Sequence, residues 1–201
     1  MRALVWRGPR QIAVESIDEP RQGDDDVLVR PDAAGICGSE IEGYLGRMPN
    51  RVPPLVMGHE FAGTVLASGR GAPGDWTGHR VVVNPLLSCR ICARCKAGER
   101  NLCANRRLIG VHVSGGFAER VAVPAANLVA LPDALDARVG ALVEPLANAV
   151  HAVGLARRPV APAKAVILGG GTIGVFGLYA ARAAGIPDVR VVEPNADRRA
   201  A

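Results

Sequence analysis

From Met1 to about Val123 the apolar residues fall in short runs closed by Gly and Pro: RALVW, QIAVESI, DVLVRPDAAGI, EFAGTVLASG, HRVVVNP and FAERVAVP. Strand-length runs separated by turn residues predict a partly closed β-barrel. The period changes between Asp136 and Ala156, where Leu142, Leu146, Val150 and Val153 recur at helical spacing and predict one or two helices, with Pro145 near a helix start. The proline-rich stretch RRPVAPA, 157–163, then marks a domain boundary. Beyond it AVILGGGTIG reads as a fully apolar strand entering a Gly-rich turn, VFGLYAARAAG as a helix and VRVVEP as a second strand. The expected architecture is α/β plus β: a barrel domain with its following helices over 1–156 and one βαβ unit of a doubly wound sheet over 157–201. Such a sheet usually has about six strands, so with two strands read before ADRRAA the chain reads as interrupted.

The turn carries chemistry. Gly169, Gly171 and Gly174 fit G-x-G-x-x-G between a strand and a helix. The first glycine makes the turn, the second admits a pyrophosphate to the backbone, and the third lets helix and strand pack. The anion then sits at the helix N-terminus near Thr172 and Ile173, where free N–H groups and the helix dipole favour it. Glu193 ends the second strand at the position where a carboxylate accepts the ribose hydroxyls, so NAD is expected in preference to NADP; Arg198 and Arg199 keep NADP open.

Of the five cysteines, four are clustered: Cys89, Cys92, Cys95 and Cys103, spaced C-x2-C-x2-C-x7-C. A compact loop with those intervals can close four thiolates around a structural zinc. An iron–sulfur cluster or a nucleic-acid-binding zinc ribbon are the alternatives, although a ribbon sets two C-x2-C pairs well apart. The net charge is +5, and the basic residues are scattered apart from Arg90, Arg94, Lys96, Arg100, Arg106 and Arg107 around this loop. Those cations favour thiolates, and no nucleic-acid partner is expected. No run of about 18 apolar residues occurs and MRALVWRGPR lacks a signal core, so no membrane association and a cytoplasmic, thiol-reducing home are expected.

Cys37 lies in GICGSE after one apolar strand, and His59 and Glu60 lie in GHEFAG at the start of another. Singly, each is as readily a packing residue. Together, thiolate, imidazole and carboxylate from strand ends can hold one zinc and leave a position open for substrate.

GICGSE, GHEFAG, the cysteine loop, EPLANAVHA and ILGGGTIG occur in the order seen in zinc-containing medium-chain alcohol dehydrogenases, which the chain resembles throughout its 201 residues. It is nearest to the sorbitol, threonine and butanediol dehydrogenase branch, because Glu144 in EPLA matches that branch's zinc-associated glutamate. The resemblance implies a GroES-like barrel followed by a Rossmann sheet. It implies that Cys37, His59 and Glu60 bind catalytic zinc, with Glu144 as a ligand or the partner of a zinc-bound water. It implies further that Glu40, where the family usually has Asp, orients His59, and that Ser39 relays the substrate proton. Many members continue that relay through a His where this chain has Glu42, leaving that carboxylate or water as the outer step. The implied reaction takes a secondary alcohol (a polyol, sugar alcohol or hydroxy-amino compound) to a ketone with NAD, in a full-length homodimer or homotetramer. The competing expectation is a truncated zinc-binding chain without turnover.

Overall fold

The computed structural model describes residues 1–157 and 162–200; residues 158–161 of the expected proline-rich boundary lie outside the described residues. Contacts divide the chain into two compact units, Met1–Leu142 and Val143–Ala201. The division falls one helix earlier than the boundary read from the prolines, because helix α4 (Val143–Ala156) packs on helix α5 (Thr172–Ala183).

In the first unit, β1 (Arg2–Gly8) and β2 (Gln11–Ser16) are followed by β3 (Asp26–Ala34), helix α1 (Gly38–Tyr44), β4 (Leu55–Val56), β5 (Phe61–Ser68) and β6 (Arg80–Val83). Next come β7 (Leu86–Leu87), helix α2 (Ala93–Lys96), a 3-10 turn (Arg100–Leu102), β8 (Arg107–Leu108) and β9 (Val121–Pro124). A second 3-10 turn (Ala125–Asn127), β10 (Leu128–Ala130) and α3 (Ala137–Ala141) complete the unit. Helix α1 and the short strands β4, β7, β8 and β10 were not expected from the sequence pattern, since two or three residues carry no readable period.

The main sheet has the order β10-β6-β5-β3-β9, all pairs antiparallel. Its outer strands β9 and β10 are joined only through Ala125–Asn127. Laid flat, five strands would hold their edges about 19 Å apart, whereas the four-residue step from Pro124 to Leu128 reaches at most about 14 Å. The sheet must therefore curl until its edges approach, which is the expected partly closed barrel. Val27, Val29, Val121 and Val123 alternate inward along β3 and β9 and meet Phe61, Val65, Val81, Val83 and Ile109 in the core. A second sheet, β2-β1-β4, pairs Val5 with Val56 and Trp6 with Leu55, fixing the strand that runs into Met57-Gly58-His59.

The second unit holds α4, β11 (Lys164–Leu168), α5, β12 (Asp188–Val192) and α6 (Ala196–Ala200). Strands β11 and β12 are parallel, Lys164 opposite Asp188 through Leu168 opposite Val192, with α5 as the crossover. This is the expected βαβ unit. No helix among the described residues is long and apolar enough to cross a membrane.

Candidate active site and metal centres

Cys37 caps the N-terminus of α1, its backbone extended (φ −71°, ψ 154°) as the chain leaves β3. Three residues on, Glu40 turns back so that the Cys37 amide donates to its Oε2 at 3.0 Å, one half of a capping box. The other oxygen, Oε1, lies 2.7 Å from His59 Nδ1 and accepts from Arg51 Nη2 at 3.0 Å. Burial would push the Glu40 carboxyl up, but its bonds and charge interactions with His59 and Arg51 outweigh that and hold it below the usual range. An ionised carboxylate only accepts, so Nδ1 carries a hydrogen toward Glu40, and Nε2 is the ring nitrogen a metal would take.

Cys37 and His59 are tightly coupled. The His59 hydrogen bond is the largest influence drawing the Cys37 thiol down, ahead of the opposing effect of burial. Burial also opposes the charge on His59, yet the bonds to Cys37 and Glu40 carry it up to about 10. Two groups that share a proton this closely are donors suited to one cation. Ligand atoms of Cys37, Glu40 and His59 fall within 4.8 Å of one another, and His59 stands equally close to Glu60. Both oxygens of Glu40 are engaged by protein donors, so Glu40 is placed to orient the site, while Glu60 is buried next to His59 in sequence.

The remaining expected residues divide. Ser39 Oγ accepts from Arg51 Nη2 at 3.0 Å. Glu42 is exposed and pairs with Arg47 at 3.4 Å, apart from Ser39's partner. Glu144 lies in the first turn of α4, in the second unit, where Asn148 donates to it at 3.1 Å. Arg51 was missed by the sequence reading: MPNRVPPL looks like an exposed loop, and nothing in it announces a side chain that is fully buried.

The four-cysteine loop runs from β7 to β8, with Cys92 capping α2 and Cys103 following the 3-10 turn. All four sulfurs lie within 4.8 Å of each other, and Cys89 is 3.9 Å from Cys95 and 3.5 Å from Cys103. Zinc–thiolate bonds of about 2.3 Å at tetrahedral angles require sulfurs about 3.8 Å apart, so the loop is already shaped for zinc. Backbone amides of Ile91 and Cys92 draw the Cys89 thiol down, while burial pushes Cys95 up. Arg90 ties the loop to the barrel by donating to Asn127 Oδ1 at 3.1 Å, and Asn127 in turn donates to the carbonyls of Asn84 and Leu86.

In the second unit Gly169 has φ +101°, which favours glycine, and a Cβ on Gly174 would run into the Gly169 carbonyl oxygen. Gly171 caps α5, so the Thr172 and Ile173 amides face out of the helix start. Glu193 Oε2 accepts from the Gly170 amide at 2.7 Å and Oε1 from Asn195 at 2.9 Å, which hold its carboxyl below the usual range. Arg199 Nη1 donates to the carbonyls of Glu193 and Pro194, both at 2.7 Å.

A curled antiparallel barrel carrying a Cys–His–Glu donor set and a separate four-thiolate loop, together with a Gly-rich βαβ unit, defines the class of zinc-type dehydrogenases. Residues 23–133 match the family model of the alcohol dehydrogenase GroES-like domain, and the chain belongs to that family. It is 34% identical to the L-galactonate-5-dehydrogenase of Escherichia coli (strain K12) over 200 residues, covering 99% of this chain and 58% of that protein. Among solved structures, a protein from Sinorhizobium meliloti 1021 described as a zinc-binding dehydrogenase and bound to NADP superposes with a TM-score of 0.91. It is 38% identical, with 99% of this chain and 58% of that one covered. An alcohol dehydrogenase from Escherichia coli CFT073 complexed with NADH gives 0.90 at 30% identity, covering 98% and 58%. The chain thus spans a little over half the length of these relatives.

Proposed function

We propose that the protein is a zinc-dependent oxidoreductase that transfers a hydride between a secondary alcohol and NAD, the alcohol being a polyol, sugar alcohol or hydroxy-amino compound. The observation that carries this reading is the Glu40–His59–Cys37 arrangement, which presents an imidazole Nε2 and a thiolate together and fixes the imidazole from behind. Zinc held by Cys37, His59 and Glu60 would supply Lewis acidity that lowers the pKa of the substrate hydroxyl, and the nicotinamide would accept the hydride. Ser39 takes the hydroxyl proton on Oγ and gives its own hydrogen onward to water or toward Glu42. Cys89, Cys92, Cys95 and Cys103 hold a second, structural zinc and take no part in the chemistry.

Gly169, Gly171, Thr172, Ile173 and Gly174 receive the pyrophosphate, and Glu193 receives the ribose, as the opening of a Rossmann sheet. Relatives bind NADP in one structure and NADH in another; Glu193 favours NAD here because a carboxylate repels a 2′-phosphate. Five free thiols, four of them gathered as metal donors, suit a reducing cytoplasmic setting. The full-length form is proposed to be a homodimer or homotetramer, on the resemblance.

The test is purified protein with NAD and a panel of sugar acids, polyols and hydroxy-amino acids, followed by reduced-nicotinamide absorbance. Turnover that Cys37→Ser abolishes supports this reading, and zinc binding with no turnover on any of them contradicts it.

A further inference from the structure

We propose that Arg51 is a positioning residue of the candidate active site, holding Glu40 and Ser39 at once, and that position 43 is glycine so that Arg51 can cross α1. The proposal rests on Cys37 and His59 being metal donors. Arginine is almost never fully buried unless paired, yet the Arg51 side chain is 0% exposed and its partner Glu40 3%. A single nitrogen, Nη2, spends its hydrogens on the two groups that flank the metal donors, Ser39 Oγ and Glu40 Oε1, each at 3.0 Å. Nη1 contacts Met57 Sδ at 2.7 Å, just before Gly58-His59. One planar fork thereby joins α1 to the segment that delivers His59.

The path of the side chain explains Gly43. A Cβ there would lie 2.8 Å from Arg51 Cδ and 3.1 Å from Nε, closer than packed atoms allow. Within a helix glycine is otherwise unfavourable. Arg51 Nε is itself buried without a hydrogen-bond partner among the described residues, a cost of the path that brings Nη2 to Ser39 and Glu40.

Two consequences reach the proposed chemistry. Arg51 donates to the same Glu40 oxygen that lies 2.7 Å from His59 Nδ1, so it fixes the carboxylate that in turn fixes the orientation of the ring. With one lone pair of Ser39 Oγ taken by Arg51, the hydroxyl is held in place beside Cys37.

The test compares wild type, Arg51→Met, Arg51→Lys, Glu40→Gln and Arg51→Met/Glu40→Gln, by cobalt(II) titration of the Cys37-dependent thiolate absorption and by denaturant midpoint. Arg51→Met is expected to weaken cobalt binding at this site about 10- to 100-fold, to leave the four-cysteine loop unchanged, and to do far less in the Glu40→Gln background. Arg51→Lys should recover only part, because an ammonium lacks the fork. Wild-type cobalt affinity in Arg51→Met, or an equal loss in both backgrounds, overturns the proposal. The midpoint arm needs no metal: losing one partner strands a buried charge, so Arg51→Met should unfold at lower denaturant than the double variant, and the reverse order overturns the pairing. If Arg51→Met fails to fold, folding of the double variant supports the proposal and its failure overturns it. Absence of any Cys37-dependent band in wild type would instead remove the metal reading, with the midpoint arm still deciding the role of Arg51.

Discussion

Glu40 holds His59: its Oε1 lies 2.7 Å from Nδ1, while its Oε2 takes the amide of Cys37 at 3.0 Å. One carboxylate thus sets the tautomer of one expected metal donor and anchors the backbone of another. The glutamate reaches because it sits at the third position of α1 and folds back over the helix start, a geometry that the capping box makes favourable.

Glu40→Ala should therefore lower metal affinity at the Cys37 site by about 10- to 100-fold without touching the four-cysteine loop. Competition titration against a chromophoric chelator reads both sites in one experiment. Equal weakening of the two sites would mean a general loss of structure.

Ser39→Ala should leave the zinc content unchanged and reduce turnover by about 100- to 10,000-fold, the range expected for a positioned proton-transfer group. The measurement is kcat alongside metal analysis. Unaltered turnover in a fully loaded variant removes Ser39 from the relay.

Cys92→Ser opens the four-thiolate cage. The loop between β7 and β8 has few apolar side chains of its own, and Ile91 and Leu102 within it are exposed, so the proposed zinc is expected to hold it in place of a core. The variant should lose the structural zinc, melt at lower temperature and be cut by protease between residues 89 and 103. Limited proteolysis with fragment mass analysis checks this, and a loop as resistant as in wild type contradicts it.

Glu193→Ser should weaken NAD binding about tenfold or more, the loss of a charge-assisted hydrogen bond, and improve NADP relative to NAD with Arg198 and Arg199 nearby. Isothermal titration with both dinucleotides measures the switch. The Glu193 carboxyl is held below its ordinary value of 4.5 by the Asn195 and Gly170 amides. Its hold on the turn is accordingly complete above that value and lost only as the pH falls through the lowered folded value. NAD affinity should stay level through neutral pH and fall only in acid.

Much of this was legible in the sequence because the signals were local. The βαβ unit announced itself through an apolar run, a glycine pattern and an acid at the next strand end, and β11, α5 and β12 follow that reading. The cysteine spacing is local in the same way, and the structure brings the four sulfurs within 4.8 Å of one another. Helix α1 was not seen, since seven residues show too little period, although Cys37 followed by Glu40 has the form of a capping box. Arg51 was illegible for a different reason: its role depends on burial against Gly43 and on partners eleven and twelve residues back in the chain, which no local pattern encodes. The division between the units was read at the prolines, whereas α4 belongs with α5 through packing between helices distant in sequence.

Two distinct zinc sites in one chain are tested by zinc content per chain in wild type, Cys37→Ser and Cys92→Ser. Wild type should hold about two zinc ions and each variant about one. Wild-type protein with one zinc, lost in Cys92→Ser and kept in Cys37→Ser, would contradict this, leaving a structural loop and no catalytic metal.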